Sequence, residues 1–107
     1  MSLSDADAAQ ALELFDGLGD LSTRKMMGGL CIYHQGTIFA IIHPHGGILI
    51  KGAGPFAAEL TAMGLEKWHY LRKDGSPTNM PYWHLPDSAM DDPDEAVDLA
   101  RRALQHL

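Results

Sequence analysis

Six histidines and a single cysteine are the residues of this chain best suited to hold a metal or to react. His43 and His45 flank Pro44, and Cys31 and His34 lie a short way upstream. Zinc sites draw on tight pairs such as Cys-x-x-Cys or His-Glu-x-x-His, and neither spacing occurs. No metal and no cofactor is therefore expected. Ser22 and Ser76 are the serines one would test as nucleophiles, yet no Gly-x-Ser-x-Gly elbow presents either. Cys31 falls inside a strand-like apolar stretch with no helix N-terminus to lower its pKa, so a buried, inert thiol is expected. The chemistry these residues offer does not amount to a catalytic set, and the chain is read as a non-enzyme.

Two other stretches carry residues of functional type. Arg24-Lys25-Met26-Met27-Gly28-Gly29 places paired bases before glycines, a pattern able to hold an anion. It lacks the Gly-x-x-x-x-Gly-Lys-Ser/Thr spacing of a phosphate loop, and no helix pattern follows. The structural alternative gives the glycines a bulge or close backbone packing and the bases salt bridges. Met80-Pro81-Tyr82-Trp83-His84-Leu85-Pro86 offers large aromatic area with polar handles, suited to a contact hot spot or to the rim of a core. A small anion or ligand site under Arg24, Lys51 and Tyr82 is a further reading, and it requires the three side chains to converge.

The elements that must position these residues follow from periodicity. Ser4 and Asp7 form a capping-box pattern ahead of a stripe at Ala8, Ala11, Leu12, Phe15 and Leu18, with Gly17 and Gly19 as a stop. Strands are predicted over 30–34, 37–42 and 48–51, joined by a tight Gln35-Gly36 turn and by a turn at Pro44-His45-Gly46-Gly47. Pro55 opens a short helix with Phe56, Leu60 and Met63 on one side, ending at Gly64. Residues 66–70 and 80–85 read as two more strands. Pro81 confines the second of these to an edge or a strand end. Asp92 caps a last helix, with Pro93 at its first position, Glu95 completing a capping box, and a stripe of Ala96, Val97, Ala100, Ala103, Leu104 and Leu107. The expected fold is α+β in the order α-β-β-β-α-β-β-α, a mainly antiparallel sheet with helices packed on it, in one domain spanning 1–107.

The central hairpin carries the functional inference. Alternation puts Ile38, Ala40 and Ile42 on one face of their strand and Phe39 and Ile41 on the other. Both faces are apolar and both need cover, which three short helices supply well for only one. A second subunit or a partner protein covering the other face is the expectation, with a homodimer preferred; the alternative is a monomer in which loops and the 80–85 segment close that face.

Charge divides the chain into three parts. Residues 1–20 hold five acids and no base, residues 21–85 hold six bases against three acids, and residues 86–107 hold six acids against two arginines, within a net charge of −6. An acidic protein is a poor general binder of nucleic acid, so direct binding through the basic middle segment is the alternative reading only. No apolar run nears the ~18 residues of a membrane span. One cysteine forms no internal disulfide, so the cytoplasm is the expected location.

Taken in order, Arg24-Lys25-Met26-Met27-Gly28-Gly29, Ile32-Tyr33-x-x-Gly36-x-x-Phe39-Ala40, Leu49-x-Lys51 and Met80-Pro81-Tyr82-Trp83-x-Leu85-Pro86 resemble the TfoX N-terminal domain family across about residues 12–107. The resemblance implies a bacterial α+β fold like that of type III secretion chaperones, commonly dimeric and without enzymatic activity. It also implies a role in regulating competence and transcription alongside a cyclic-AMP-responsive activator. The competence regulators carry a further helical domain, so a stand-alone N-terminal domain is expected here. Met27 replaces a frequent Phe. The positions carried over are Arg24, Lys25, Met26, Gly28, Gly29, Phe39, Lys51, Met80, Pro81, Tyr82 and Trp83, as an interaction signature with no catalytic role.

Overall fold

A computed structural model describes residues 5–26, 29–43, 47–71, 74–75 and 77–107. Ser4, Met27, Gly28, the Pro44-His45-Gly46 turn and Ser76 lie outside the described residues. Helix α1 (Asp5–Leu14) and a 3-10 turn (Asp16–Leu18) lead into strands β1 (Leu21–Met26), β2 (Gly29–His34), β3 (Thr37–Ile42) and β4 (Ile48–Lys51). Helix α2 (Pro55–Ala62) is followed by β5 (Lys67–Leu71), β6 (Pro77–His84), α3 (Asp87–Met90) and α4 (Pro93–Leu104). The six strands form one sheet in the order β1-β2-β3-β4-β6-β5, antiparallel throughout. The α+β reading holds, with one strand more than periodicity indicated. That strand is β1, whose Leu-Ser-Thr-Arg-Lys-Met sequence is too polar to stand out as a strand yet suits a sheet edge.

Local chemistry explains the framework. Gln35 and Gly36 both take positive φ, 49° and 83°, the pair of left-handed residues a two-residue hairpin turn requires. Three contacts pin this turn to the preceding loop: Gln35 Nε2 donates to Asp20 Oδ2 at 3.1 Å, Gln35 N–H donates to the Asp20 carbonyl at 3.1 Å, and His34 Nδ1 lies 2.7 Å from the Gly19 carbonyl. Pro55 stands in the first turn of α2, as expected. Asp92 caps α4, its Oδ1 accepting from the backbone N–H groups of Asp94 at 3.1 Å and Glu95 at 3.3 Å. The reciprocal half of the capping box is not made. Glu95 instead accepts from Ser88 Oγ at 2.8 Å and ties α3 to α4.

Packing separates the two faces of the sheet. One large core joins Ala11, Leu14, Phe15, Phe56, Leu60, Leu99 and Ala100 from the helical side to Leu30, Ile32, Ile42, Ile50 and Trp83 of the sheet. The stripes predicted for the helices need two amendments: Met63 and Leu107 are exposed, while Leu99 is buried. Arg102 of α4 pairs with Glu59 of α2 and lies over the Phe56 ring, so its cation and its hydrocarbon stem both serve the α2–α4 contact.

The alternation predicted for β3 is corrected by a bulge. Ile32 pairs with Ala40 and Tyr33 with Ile38, leaving Phe39 without a partner. A bulge residue escapes strict alternation. Phe39 therefore joins Ala40 and Ile42 in the helix-side core and meets Phe15 edge-to-face at 5.2 Å. Ile38 goes with Ile41 to the opposite face.

Candidate interaction surface

Residues directly opposite in an antiparallel pair share a face, so the strand register gives the paired signature residues their sides. Arg24 pairs with Cys31, Ile41 with Leu49, and Lys51 with Tyr82. All six point away from the helices. Lys25 pairs with Leu30 and Trp83 with Ile50, which puts these four on the helical side. The paired bases Arg24 and Lys25 thus face opposite ways and do not form a clamp on one anion. Both are exposed, and neither has an ion-pair partner among the described residues, so the salt bridges suggested for them are not seen there.

The helix-free face has a small core of its own, made of Cys31, Ile41, Leu49 and Tyr82. Their exposures of 3%, 3%, 0% and 8% show a centre already sealed within one chain. The seal comes from side chains reaching inward. Trp68 stacks edge-on to Tyr82 at 6.4 Å, and His43 meets Trp68 at 5.7 Å. The expectation that this face needs a second subunit to keep its centre dry does not hold for these four residues. What remains partly open is the rim: Tyr33, Ile38 and Trp68 pack against the cluster while keeping part of their surface accessible.

Burial acts on the one polar group at the centre. It pushes the Tyr82 phenol above its ordinary value of 10.0, and nearby Cys31 and Tyr33 add to the rise through the negative charge each carries when ionised. Cys31 is buried, as its strand position predicted, and forms no disulfide. Tyr82 is therefore a neutral hydroxyl at physiological pH.

The proposed ligand site under Arg24, Lys51 and Tyr82 does not assemble. Lys51 and Tyr82 are cross-strand neighbours, but β1 and β4 are three strand spacings apart, about 14 Å. Arg24 instead borders a shallow hollow of about 520 Å³ with Ser22, Thr23, Tyr33 and Gly36 at the β1 edge. Sequence reasoning missed this hollow because it missed β1. Among the described residues, no group of three or more His, Cys, Asp or Glu side chains gathers as a metal site would require.

The remaining signature residues have structural duties. Gly29 opens β2 opposite Met26. Pro81 does not mark an edge, since β6 lies between β4 and β5. Its tolerance has a local cause: the β5–β6 register jumps from Lys67↔Trp83 to His69↔Asn79, so residues 80–82 bulge past Trp68 and Pro81 owes no ladder N–H there. Its carbonyl accepts from Gly52 N at 3.0 Å. Met80 stands in the same bulge.

This succession of strands, with the aromatic pair of β6 split between the two faces, agrees with the match of the chain to the description TfoX N-terminal domain over residues 13–107. The chain belongs to the TfoX N-terminal domain family. Comparison with curated proteins finds no match. In this TfoX-type domain the signature residues are spread over both faces of the sheet. Phe39, Gly29 and Trp83 build the fold, while Arg24, Tyr82 and Lys51 occupy the helix-free face. No helix among the described residues is long and apolar enough to cross a membrane.

Proposed function

We propose that the chain is a non-catalytic regulatory module that associates through the helix-free face of its sheet. It does so as a homodimer or on a transcription-related protein of the bacterial cytoplasm. The observation that carries this reading is the half-open rim of Tyr33, Ile38 and Trp68 around a sealed apolar centre. Aromatic side chains that are pre-packed on one side and accessible on the other lose little freedom on docking, which favours them as contact hot spots. Family membership supports the regulatory class. The described basic residues of the middle segment divide between the faces, with Arg24 and Lys51 on one side and Lys25 and Lys67 on the other, and this favours protein contact over a one-sided phosphate-binding patch.

Light scattering coupled to size-exclusion chromatography tests the homodimer at ~100 μM, a concentration that populates even a small, weak interface. A dimer that Ile38→Glu converts to a folded monomer is the expected result. Should the wild type be monomeric, a photo-crosslinker at position 38 captures the partner in cells, and the absence of any crosslinked transcription component overturns the reading.

A further inference from the structure

We propose that the open edge of β1 accepts an acidic, extended segment of a partner protein as a seventh strand. This concerns the edge of the sheet rather than its face, and it stands or falls independently of association through the rim. β1 is the terminal strand of the sheet and, among the described residues, pairs only with β2. Its six residues match an ordinary strand length, and Ser22, Thr23, Arg24 and Lys25 are all exposed. An unpaired row of backbone N–H and C=O groups is a template for strand addition, where the ladder supplies affinity and alternate side chains supply selectivity.

Charge selects the occupant. β1 carries two bases and no acid within a chain of net charge −6. The acid just before it, Asp20, is hydrogen-bonded to the Gln35 side chain. An incoming residue opposite Arg24 lies on the helix-free side, above the hollow lined by Ser22, Tyr33 and Gly36. The next residue faces the other side, towards Lys25. Two adjacent acids therefore satisfy both bases at once. A second copy of β1 on the same edge sets the basic pairs of two strands close together, and like charges across a ladder are destabilising, so a foreign acidic strand fits better.

The probe is a fluorescein-labelled peptide of about eight residues, two adjacent glutamates flanked by valine and threonine, followed by anisotropy. Its N-methylated counterpart, which cannot complete the ladder, and an oligothymidylate of equal charge serve as controls. Saturable binding is expected for the first peptide alone. Arg24→Ala should weaken it about threefold and Arg24→Glu about tenfold or more, both variants keeping the wild-type circular dichroism. Hydrogen exchange at Thr23 and Lys25, whose N–H groups face the open edge, should slow on binding. No saturable binding overturns the proposal. Equal binding of either control, or unchanged exchange in β1, overturns it as well, because simple charge attraction then accounts for the signal.

Discussion

Trp83 and the backbone of Gly52 are packed so closely that a Cβ on residue 52 would lie 2.6 Å from the indole ring, and 2.8 Å from Leu60 as well. The glycine is required by space, since its φ lies outside the left-handed region. Gly52→Ala should destabilise the domain by about 1–3 kcal/mol, the usual cost of overpacking. Urea denaturation measures it. Combining Gly52→Ala with Trp83→Leu should cost less than the sum of the two changes, because the second relieves the first. An additive double mutant would show that the contact is not the cause.

Asp92 accepts two backbone N–H groups at the start of α4, whereas Glu95 serves Ser88 instead of returning to the cap. Asp92→Ala should therefore cost about 1 kcal/mol, with Asp92→Ser recovering most of it. Glu95→Ala should cost less than Asp92→Ala and should be non-additive with Ser88→Ala, since those two share one hydrogen bond. A full reciprocal capping box would give the opposite coupling, between Glu95 and Asp92. Thermal melts of the wild type, the four single variants and the two double variants decide the matter.

These cases mark how far the residues announce the fold. The Gln35-Gly36 turn, Pro55 at the start of α2 and Asp92 before Pro93 were readable because a local conformation demands those residue types. β1 was not, because an edge strand has little apolar alternation to show. Glu95 was misassigned because Ser88, its actual partner, belongs to a separate short helix. The bulge at Pro81 follows from the register between β5 and β6, which no single stretch of sequence carries. For the candidate surface, the apolar character of both faces was legible. Closure of the second face by the 80–85 segment stood as the alternative to association, and Tyr82 of that segment does seal it; the part Trp68 takes was not legible, since it depends on contacts between distant strands.

Phe39 and Ile38 separate the observed bulge from simple alternation. Phe39 is fully buried against Phe15, so Phe39→Ala should cost about 3–5 kcal/mol. Ile38 lies on the half-open rim, and Ile38→Ala should cost clearly less, about 1 kcal/mol. Strict alternation would put Ile38 in the helix-side core and Phe39 beyond it, reversing the order of these two effects. Chemical denaturation of both variants with a common m-value is the measurement.

Tyr82 links the small second core to pH. Its folded pKa is raised above 10.0, first by burial and then by Cys31 and Tyr33. In the unfolded chain the phenol ionises near the ordinary value, so above that pH the unfolded state releases a proton that the folded state still holds. The linked stability is fully present below about pH 10 and is lost as pH rises through the folded pKa. Melting temperatures recorded across that alkaline range should fall for the wild type, and Tyr82→Phe should fall less steeply because it removes this linkage. The tyrosinate absorbance of the folded protein should show one late-titrating phenol that the variant lacks. If the Tyr82 phenol titrates near the ordinary value, Tyr82 is not sealed from water, and the helix-free face is open at its centre as well as at its rim.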